Sequence, residues 1–503
     1  MGAYLLGIDL GTSACKAALF DANGAVAGQA SAAYPVYYPR PGWAEQNPDE
    51  WWAGVCTAVR NALERAAISP SEVAGVGIDG QSWSAIPVDA AGQALMNTPI
   101  WMDARAQAQC DRAVRELGGP RIFAVSGNPL TPSYTLPKIL WYRDECPDIY
   151  RRADKILQSN AFIAHRLTGV FSQDKSQGYG LACFNMRRGC WDEDLTRDFG
   201  IRRSLLPDIC DCHHIVGCVT PEAAELTGLM PGTPVAAGGL DAACGTLGAG
   251  VCQDGQTQEQ GGQAGGMSIC MARCVADERL ILSMHVAPGR WLLQGGTVGG
   301  GGALKWLSEQ VCAAEGMRAA ENHTSIFEEM SEAAETIPAG SDGLVFLPYM
   351  AGERSPIWDI HAKGVYFGLD YSKTRAHMIR ACMEGVAFSL RHNLEIAAGA
   401  GAPVGVMHAM GGAANSRVWT QIKADVTGCE IRVPASDTAT PLGAAILAGV
   451  GVGMYESFEQ AVEKTVRISR THAPNPKNAG VYGRNYKKYR GLYEQLRMLM
   501  REE

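Results

Sequence analysis

The stretch LLGIDLGTSACKAALFD, from Leu5 to Asp21, constrains the fold more than any other segment. Two apolar runs flank a short break that carries Asp9, Gly11, Thr12 and Ser13. Apolar runs bounded by a glycine turn predict a pair of antiparallel strands. A core strand has no need of a carboxylate, a glycine and two hydroxyls at its tip. Such a set suits a site for a metal ion and a phosphate. The carboxylate holds a divalent cation or takes a proton, and the glycine turn aims main-chain N–H groups at an anion. Lys16, just past the turn, adds a positive charge. Taken alone, Asp9 reads as a hairpin or cap residue.

The same grammar returns halfway along the chain. TPVAAGGLDAACGTLGAG reads as a buried strand ending at Asp241, followed by a helix of small residues. TQEQGGQAGGMSIC then reads as strand, glycine turn and strand, like the opening hairpin. No exact repeat is present. The reprise predicts two related α/β domains facing each other, residues 1–244 and 245–503, with the boundary near Asp241 to Gly250. Two carboxylate-tipped strands in two similar halves favour a functional reading over two unrelated caps. Further glycine clusters, GGQAGG from Gly261, GGTVGGGGALKW from Gly295 and GGAANS from Gly411, join regular structure. Glycine there permits close backbone approach beside a helix N-terminus.

Between these motifs, YLLGIDLGTS, CKAALFD and AVAGQASAAY read as three antiparallel strands, with Asn-Gly in the second turn. PDEWWAGVCTAVRNALERA reads as a helix and VAGVGIDG as a strand with the tip QSWS. DARAQAQCDRAVREL is expected to be helical, while Gln158 to Arg203 gives a mixed pattern. RAHMIRACMEGVAFSLRHNLEI predicts a long helix with Ile379, Cys382, Met383, Val386 and Leu390 on one face. The stretch Tyr482 to Arg501 predicts a charged helix.

Several classes drop out. No Gly-Lys-Ser/Thr is present, so no Walker-type loop is expected. The one GxGxxG, Gly75 to Gly80, sits inside a strand pattern and leads into QSWS instead of a helix, which argues against a nicotinamide-dependent oxidoreductase. A net charge of −8 without basic blocks argues against a nucleic-acid partner. No apolar run has the length of a membrane span, and no secretory leader precedes the first strand, so a cytoplasmic protein is expected. The 16 cysteines are scattered and read as reduced thiols. CDCHH, Cys210 to His214, fits no standard zinc spacing and is expected to be a surface loop.

Taken in order, these motifs resemble the FGGY family of carbohydrate kinases, in its xylulokinase-like branch. GIDLGTSACKAALFD is similar to the family's first phosphate hairpin, and GGLDAA to the segment with its catalytic aspartate. SYTLPKILWYRDE and GVYFGLDYSKTRAHMIRACMEG follow its two signatures, with Tyr142 and Cys382 as small departures; GERSP and GGAANSRVWTQIKAD also fit. The resemblance implies an α/β fold of two actin-like, ribonuclease-H-like domains with ATP, Mg²⁺ and a small sugar in the cleft between them. It implies Asp241 as general base, and Asp9 opposite it, both candidate metal ligands. Gly11, Thr12, Ser13 and Lys16 would contact phosphates, with Ala264, Gly265, Gly301, Gly412 and Ser416 lining the nucleotide pocket. Gln81, Ser82, Trp83, Asp103 and Asp241 would lie at the sugar. The implied acceptor is a ketopentose such as D-xylulose, with ribulose, a polyol or a sugar acid as alternatives. A homodimer is admitted as an expectation.

Three departures from the family pattern stand out. The sugar-contacting pair is usually Met-His and here is Ser82-Trp83. The residue after the catalytic aspartate is usually Asn or Gln and here is Ala242, which has no side-chain hydrogen bond to give. The second phosphate hairpin usually reads Gly-Thr-Ser and here reads Gln263-Ala264-Gly265. The last departure is what a non-catalytic, nucleotide- or sugar-binding relative would show; retention of both Asp9 and Asp241 speaks for an enzyme.

Overall fold

Alternation along the opening strand, Tyr4–Leu10, decides which side chain meets which core. Leu6, Ile8 and Leu10 join Trp51, Val55 and Val59 of the helix Pro48–Ala66 in one buried cluster. Leu5 belongs to a second cluster with Leu442, Ala445 and Ile446. Side chains alternate with a period of two, so Gly7 and Asp9 share the face of Leu5. The helix Pro48–Ala66 begins at Asn47, whose side chain accepts the Asp49 N–H, and ends at Ala67 in the left-handed region (φ 52°). These relations come from a computed structural model that describes residues 3–436 and 438–502.

Most strands form two sheets of seven, and five short two-stranded pairs lie outside them among the described residues. In the first, the order is Ile215–Cys218, Pro234–Ala236, Val73–Gly80, Tyr4–Leu10, Ala14–Asp21 and Val26–Ala33, with Gly239–Leu240 also pairing with Val73–Gly80. In the second it is Ile281–Met284, Trp291–Thr297, Gly265–Met271, Thr257–Gly261, Met407–Met410, Ile431–Pro434 and Ile468–His472. Both sheets contain three adjacent antiparallel strands, then two parallel neighbours, then an antiparallel edge; the three form a meander in the first sheet, whereas in the second Gly265–Met271 pairs with Trp291–Thr297 and skips Ile281–Met284. Strand architecture thus repeats without a repeat of residues, but the strand before Asp241 does not open the second half as expected: Pro234–Ala236 and Gly239–Leu240 pair with Val73–Gly80 in the first sheet.

A late helix, Ala439–Gly451, lies on the first sheet. It does so because glycines remove the side chains that would hold it away. A Cβ on Gly7 would sit 1.9 Å from the Pro441 carbonyl oxygen, and one on Gly77 would sit 1.8 Å from that of Ala444. The same helix meets the helix Asp241–Gly248 through a reciprocal pair. A Cβ on Gly248 would come within 1.8 Å of Ala439 O, and one on Gly443 within 1.9 Å of Cys244 O. The GxGxxG motif is thus a packing surface: Gly77 and Gly75 face this helix, and Gly80 faces Ser159.

Several local expectations change. The helix expected from Asp103 starts at Gln107, because Asp103 and Arg105 are held in a loop by their own ion pair. The mixed segment resolves into the helix Ser159–Thr168, a 3₁₀ turn at Ser176–Gly180 and the helix Glu193–Asp198. CDCHH is not simply a surface loop: Cys210 pairs in a short strand with Asp174, and Cys212 is buried. The charged helix runs Ala479–Leu496 and buries Tyr482, Tyr486, Tyr489 and Tyr493 along one face. The long helix, Arg375–Gly399, buries all five residues expected on its inner face. All 16 cysteines are free thiols. Among the described residues no helix is long and apolar enough to cross a membrane.

Overfilling a packed contact costs roughly 1–3 kcal/mol, and main chain cannot yield as a flexible side chain can. Gly77→Ala is therefore expected to lower the unfolding midpoint clearly. Gly491→Ala, at an open position of the helix Ala479–Leu496, is expected to raise stability by up to about 1 kcal/mol. Thermal melts of the two variants check this; a Gly77→Ala protein as stable as the parent would show that the helix does not lie at main-chain contact.

Candidate active site

Sheet register brings the charges together. Asp9 stands opposite Lys16 on one neighbouring strand and opposite Asp79 on the other. Opposed residues share a face, so two carboxylates and an ammonium crowd one end of the first sheet. Lys16 Nζ is 3.9 Å from Asp9 Oδ2 and is largely exposed. Asp79 is fully buried, and neither of its oxygens accepts a hydrogen bond from the described residues. Gly239 pairs with Asp79, and two residues later Asp241 opens the helix Asp241–Gly248. Its Oδ1 accepts the Ala242 N–H at 2.6 Å.

Crowding changes the acidity of all three. Burial pushes the Asp241 carboxyl up to about 7, and the charge of Asp9 adds to the rise against the pull of the Ala242 N–H. Burial also raises Asp9, with the positive charge of Lys16 acting in the opposite direction. Asp79 is pushed well above the carboxylate range by burial and then by Asp9 and Asp241. Sequence reading had passed over Asp79, although VGIDG repeats the apolar-Asp pattern of LLGIDLG. Among the described residues no three His, Cys, Asp or Glu side chains could by themselves cage a metal ion. Mg²⁺ commonly takes only one or two carboxylates and completes its shell with phosphate and water. Asp9 and Asp241, with the orphaned oxygens of Asp79 behind them, fit that requirement.

The first hairpin turn is braced from behind. The Gly11 carbonyl accepts Tyr34 OH at 2.5 Å, and the Thr12 carbonyl accepts Gln46 Nε2 at 2.8 Å. Thr12 Oγ1 accepts the indole N–H of Trp101 at 2.9 Å. Ser13 is exposed at the tip.

The other glycine clusters converge on the second hairpin. Gly301 N donates to Gly262 O at 2.8 Å and Gly302 N to Gln263 O at 2.9 Å. The N-terminus of the helix Gly301–Gln310 is thus joined to the turn that carries Ala264 and Gly265, and these two N–H groups are already used. Gly411, in the left-handed region at φ 83°, packs on Gly261, which brings Gly412 to the same edge. Ser416 caps the helix Arg417–Thr427 by accepting Trp419 N at 3.1 Å, and its hydroxyl also meets Ser331 Oγ at 2.9 Å. Beneath the hairpin, Lys423 Nζ and Glu259 Oε1 form a buried ion pair at 2.6 Å.

A third group gathers beside Asp241. Ser82 Oγ accepts Tyr179 OH at 2.8 Å. Trp83, left-handed at φ 61°, packs its ring in tilted contact 4.6 Å from Tyr134 and 5.5 Å from Tyr179, centroid to centroid. Its indole N–H is buried without an acceptor among the described residues. Burial raises the Tyr179 phenol far above its usual range, and the nearby charge of Asp241 adds to the rise. Gln81 is buried below this group, with Nε2 on Gln46 Oε1 at 2.8 Å. Lys138 donates to the carbonyls of Trp83 and Ile100 at 2.9 and 2.8 Å. Burial draws its ammonium down to about 7.

Asp103 requires correction. It is fully buried, and its oxygens are spent on Ala44 N at 2.7 Å, Arg105 N at 2.9 Å and the Arg105 guanidinium at 2.8–3.0 Å. Arg105 stacks in turn on Trp43, 3.8 Å from the ring centroid. Asp103 therefore braces the loop under the site and has no oxygen left for a sugar. Tyr179, Lys138 and Trp101 were missed as site neighbours. Lys138 stood within a quoted signature, whereas Tyr179 lay in the segment of mixed pattern and carried no periodic signal.

Known proteins share this fold. Residues 4–248 match the N-terminal domain, and residues 275–452 the C-terminal domain, of the FGGY family of carbohydrate kinases. The chain is 30% identical to a xylulose kinase of Bacillus subtilis (strain 168) over 495 residues, 97% of this chain and 96% of that protein. It is also 30% identical to a gluconokinase of Bacillus licheniformis, over 100% of this chain and 97% of the other. The crystal structure of xylulose kinase from Rhodospirillum rubrum superposes with a TM-score of 0.91 at 29% identity, covering 99% of both chains. With two carboxylate-tipped strands, paired glycine hairpins and matches over both halves, the chain belongs to the FGGY family of carbohydrate kinases.

Proposed function

We propose that this carbohydrate kinase transfers the γ-phosphoryl group of ATP to a hydroxyl of a ketopentose, with D-xylulose the first acceptor to test. The observation that carries the mechanism is Asp241, a half-buried carboxylate at a helix start whose acidity lies near neutrality. A base with that pKa is ionised in part at pH 7 and still holds a proton once it has taken one. In the step proposed, the acceptor oxygen attacks the γ-phosphorus as the bond to the ADP oxygen breaks, and the acceptor proton passes to Asp241. Mg²⁺ held by Asp9 and Asp241 would supply charge neutralisation at the phosphates. The first hairpin, with Thr12, Ser13 and Lys16, and the second, with Ala264 and Gly265, bind and orient the phosphate chain. Gly301, Gly412 and Ser416 shape the nucleotide side. Transfer of this kind needs positioning and electrostatics more than covalent help. Residues 1–244 and 245–503 serve as working halves, with the helix Ala439–Gly451 returning to the first sheet.

Ser82, Trp83 and Ala242 shape the acceptor side. Ala242 has no side-chain donor, and Trp83 offers a flat apolar face with one N–H. A site rejects analogues that leave its polar groups unpaired, so changed partners mean changed preference. A sugar acid is the second acceptor class, favoured by the likeness to the Bacillus licheniformis gluconokinase.

A coupled ADP-release screen across ketopentoses, ketohexoses, polyols and sugar acids tests the reading directly; no turnover with any of them would overturn it. Trp83→His with Ala242→Asn is expected to move preference towards D-xylulose, measured as the ratio of kcat/KM values.

Asp241→Asn is expected to lose roughly 10²- to 10⁴-fold in kcat with little change in acceptor binding. In the parent, kcat/KM should rise with pH through about 7 as Asp241 ionises, and this limb should vanish in the variant. Stability should move the other way. The folded chain binds the Asp241 proton more tightly than the unfolded chain, so this group costs stability as pH rises from about 4 through 7. Melting curves of Asp241→Asn should lie above the parent at pH 8, with the gap closing towards pH 4.

Asp9→Ala is expected to raise the Mg²⁺ concentration needed for half-maximal turnover while the fold persists. An unchanged Mg²⁺ requirement at parental turnover would reduce Asp9 to a hairpin residue.

A further inference from the structure

A buried ammonium is costly unless it is paired. Lys423 meets that condition with Glu259, but Lys138, at 0% exposure, makes no hydrogen bond to a carboxylate among the described residues. It spends its protons on two main-chain carbonyls, Trp83 O at 2.9 Å and Ile100 O at 2.8 Å. Asp103 and Arg105 are the charged neighbours, and they are occupied with each other. An apolar side chain of similar length would fill the space without the cost of burying a charge. The two carbonyls give the lysine its purpose, because they belong to two different loops.

One loop is the acceptor side. Trp83 sits in the left-handed region, which is uncommon for a bulky residue and persists only where the surroundings hold it. The other loop runs from Ile100 into Trp101, whose indole N–H holds Thr12 Oγ1 at 2.9 Å. Contacts therefore run from Trp83 to Lys138, on to Ile100 and Trp101, and into the first phosphate hairpin. Gln46 makes a second, independent tie, bonded to Gln81 at one end and to the Thr12 carbonyl at the other.

We propose that Lys138 is a positioning residue that couples the acceptor loop at Trp83 to the first phosphate hairpin at Thr12. Its ammonium holds both loops in one register, so the distance between the acceptor hydroxyl and the phosphate chain is set through it. The inference rests on the reading of Ser82-Trp83 as the acceptor side and of Thr12 as a phosphate contact.

The test is a double-mutant cycle of Lys138→Met and Trp101→Phe, read as acceptor KM, ATP KM and kcat with an acceptor found in the screen. Lys138→Met is expected to raise acceptor KM about tenfold and lower kcat, leaving ATP KM within about twofold. Trp101→Phe keeps an aromatic side chain and removes the indole N–H, which breaks the far end of the route; it should raise acceptor KM severalfold. The double variant should resemble Lys138→Met alone, because the route is already cut. Independent effects that multiply would overturn the coupling, as would a folded Lys138→Met enzyme with parental constants. Lys138→Gln, which keeps an N–H donor, should recover part of the loss, and no recovery counts against the two carbonyls as the cause. If neither Lys138 variant folds, Trp101→Phe decides alone: an unchanged acceptor KM overturns the proposal. Thr12→Ala and Trp83→His are the controls for the underlying reading. If both leave the kinetics unchanged, the two ends are wrongly assigned; if both act and the cycle is additive, only the coupling fails.

Discussion

Main chain meets main chain where the helix Ala439–Gly451 lies on the first sheet, and the geometry of the site follows from that contact. Glycine on both sides allows it: Gly7 and Gly77 on the strands, Gly248 and Gly443 between the helices. The strands that end at Asp9 and Asp79 and the helix that begins at Asp241 are both seated against this one helix. Any side chain at those glycines would displace a rigid element, because interiors are close-packed and helix backbone has no alternative rotamer. The relative placement of three carboxylates thus depends on residues that carry no chemistry.

That placement works against stability. Asp9 and Asp79 stand opposite each other on parallel strands, Asp79 is fully buried without a donor among the described residues, and Asp241 is raised towards neutrality. Like charges so close cannot all ionise cheaply. A fold selected for stability alone would fill these positions with apolar residues. The strain suits a site that receives a divalent cation and a hydroxyl proton, since each of these relieves it. Perturbed acidity of this kind clusters where chemistry is done.

The polar supports differ between the two sides of the cleft. Around Ser82 and Trp83 they are long-range side-chain bonds: Lys138 to two carbonyls, Tyr179 to Ser82, Gln46 to Gln81 and Thr12. Around the second hairpin they are main-chain bonds, from Gly301 and Gly302 to Gly262 and Gln263. The loss of hydroxyls from the second hairpin, at Gln263-Ala264-Gly265, therefore removes side chains from a turn whose shape is held by backbone.

Local order determined what was legible in the sequence. Helix Pro48–Ala66 and strand Val73–Gly80 fall where periodicity and turn residues put them, and both strand tips with a carboxylate, Asp9 and Asp241, stood out for the same reason. Periodicity and end signals act within a few residues, so one chain displays them without its fold. Asp103 read as a site residue because its loop lay near the right motifs; only the structure revealed that Arg105 and Ala44 take its oxygens. Asp79 and Lys138 were invisible as members of a site, since their meaning lies in a partner strand and in two distant carbonyls. The GxGxxG glycines read as a weak nucleotide motif and proved to be a seat for a helix more than 350 residues away along the chain, Gly77 against Ala444. Which glycine packs, which acid stays orphaned and which loop a lysine holds are decided by contacts between segments remote in sequence. Those contacts exist only once the two sheets and the returning helix have come together.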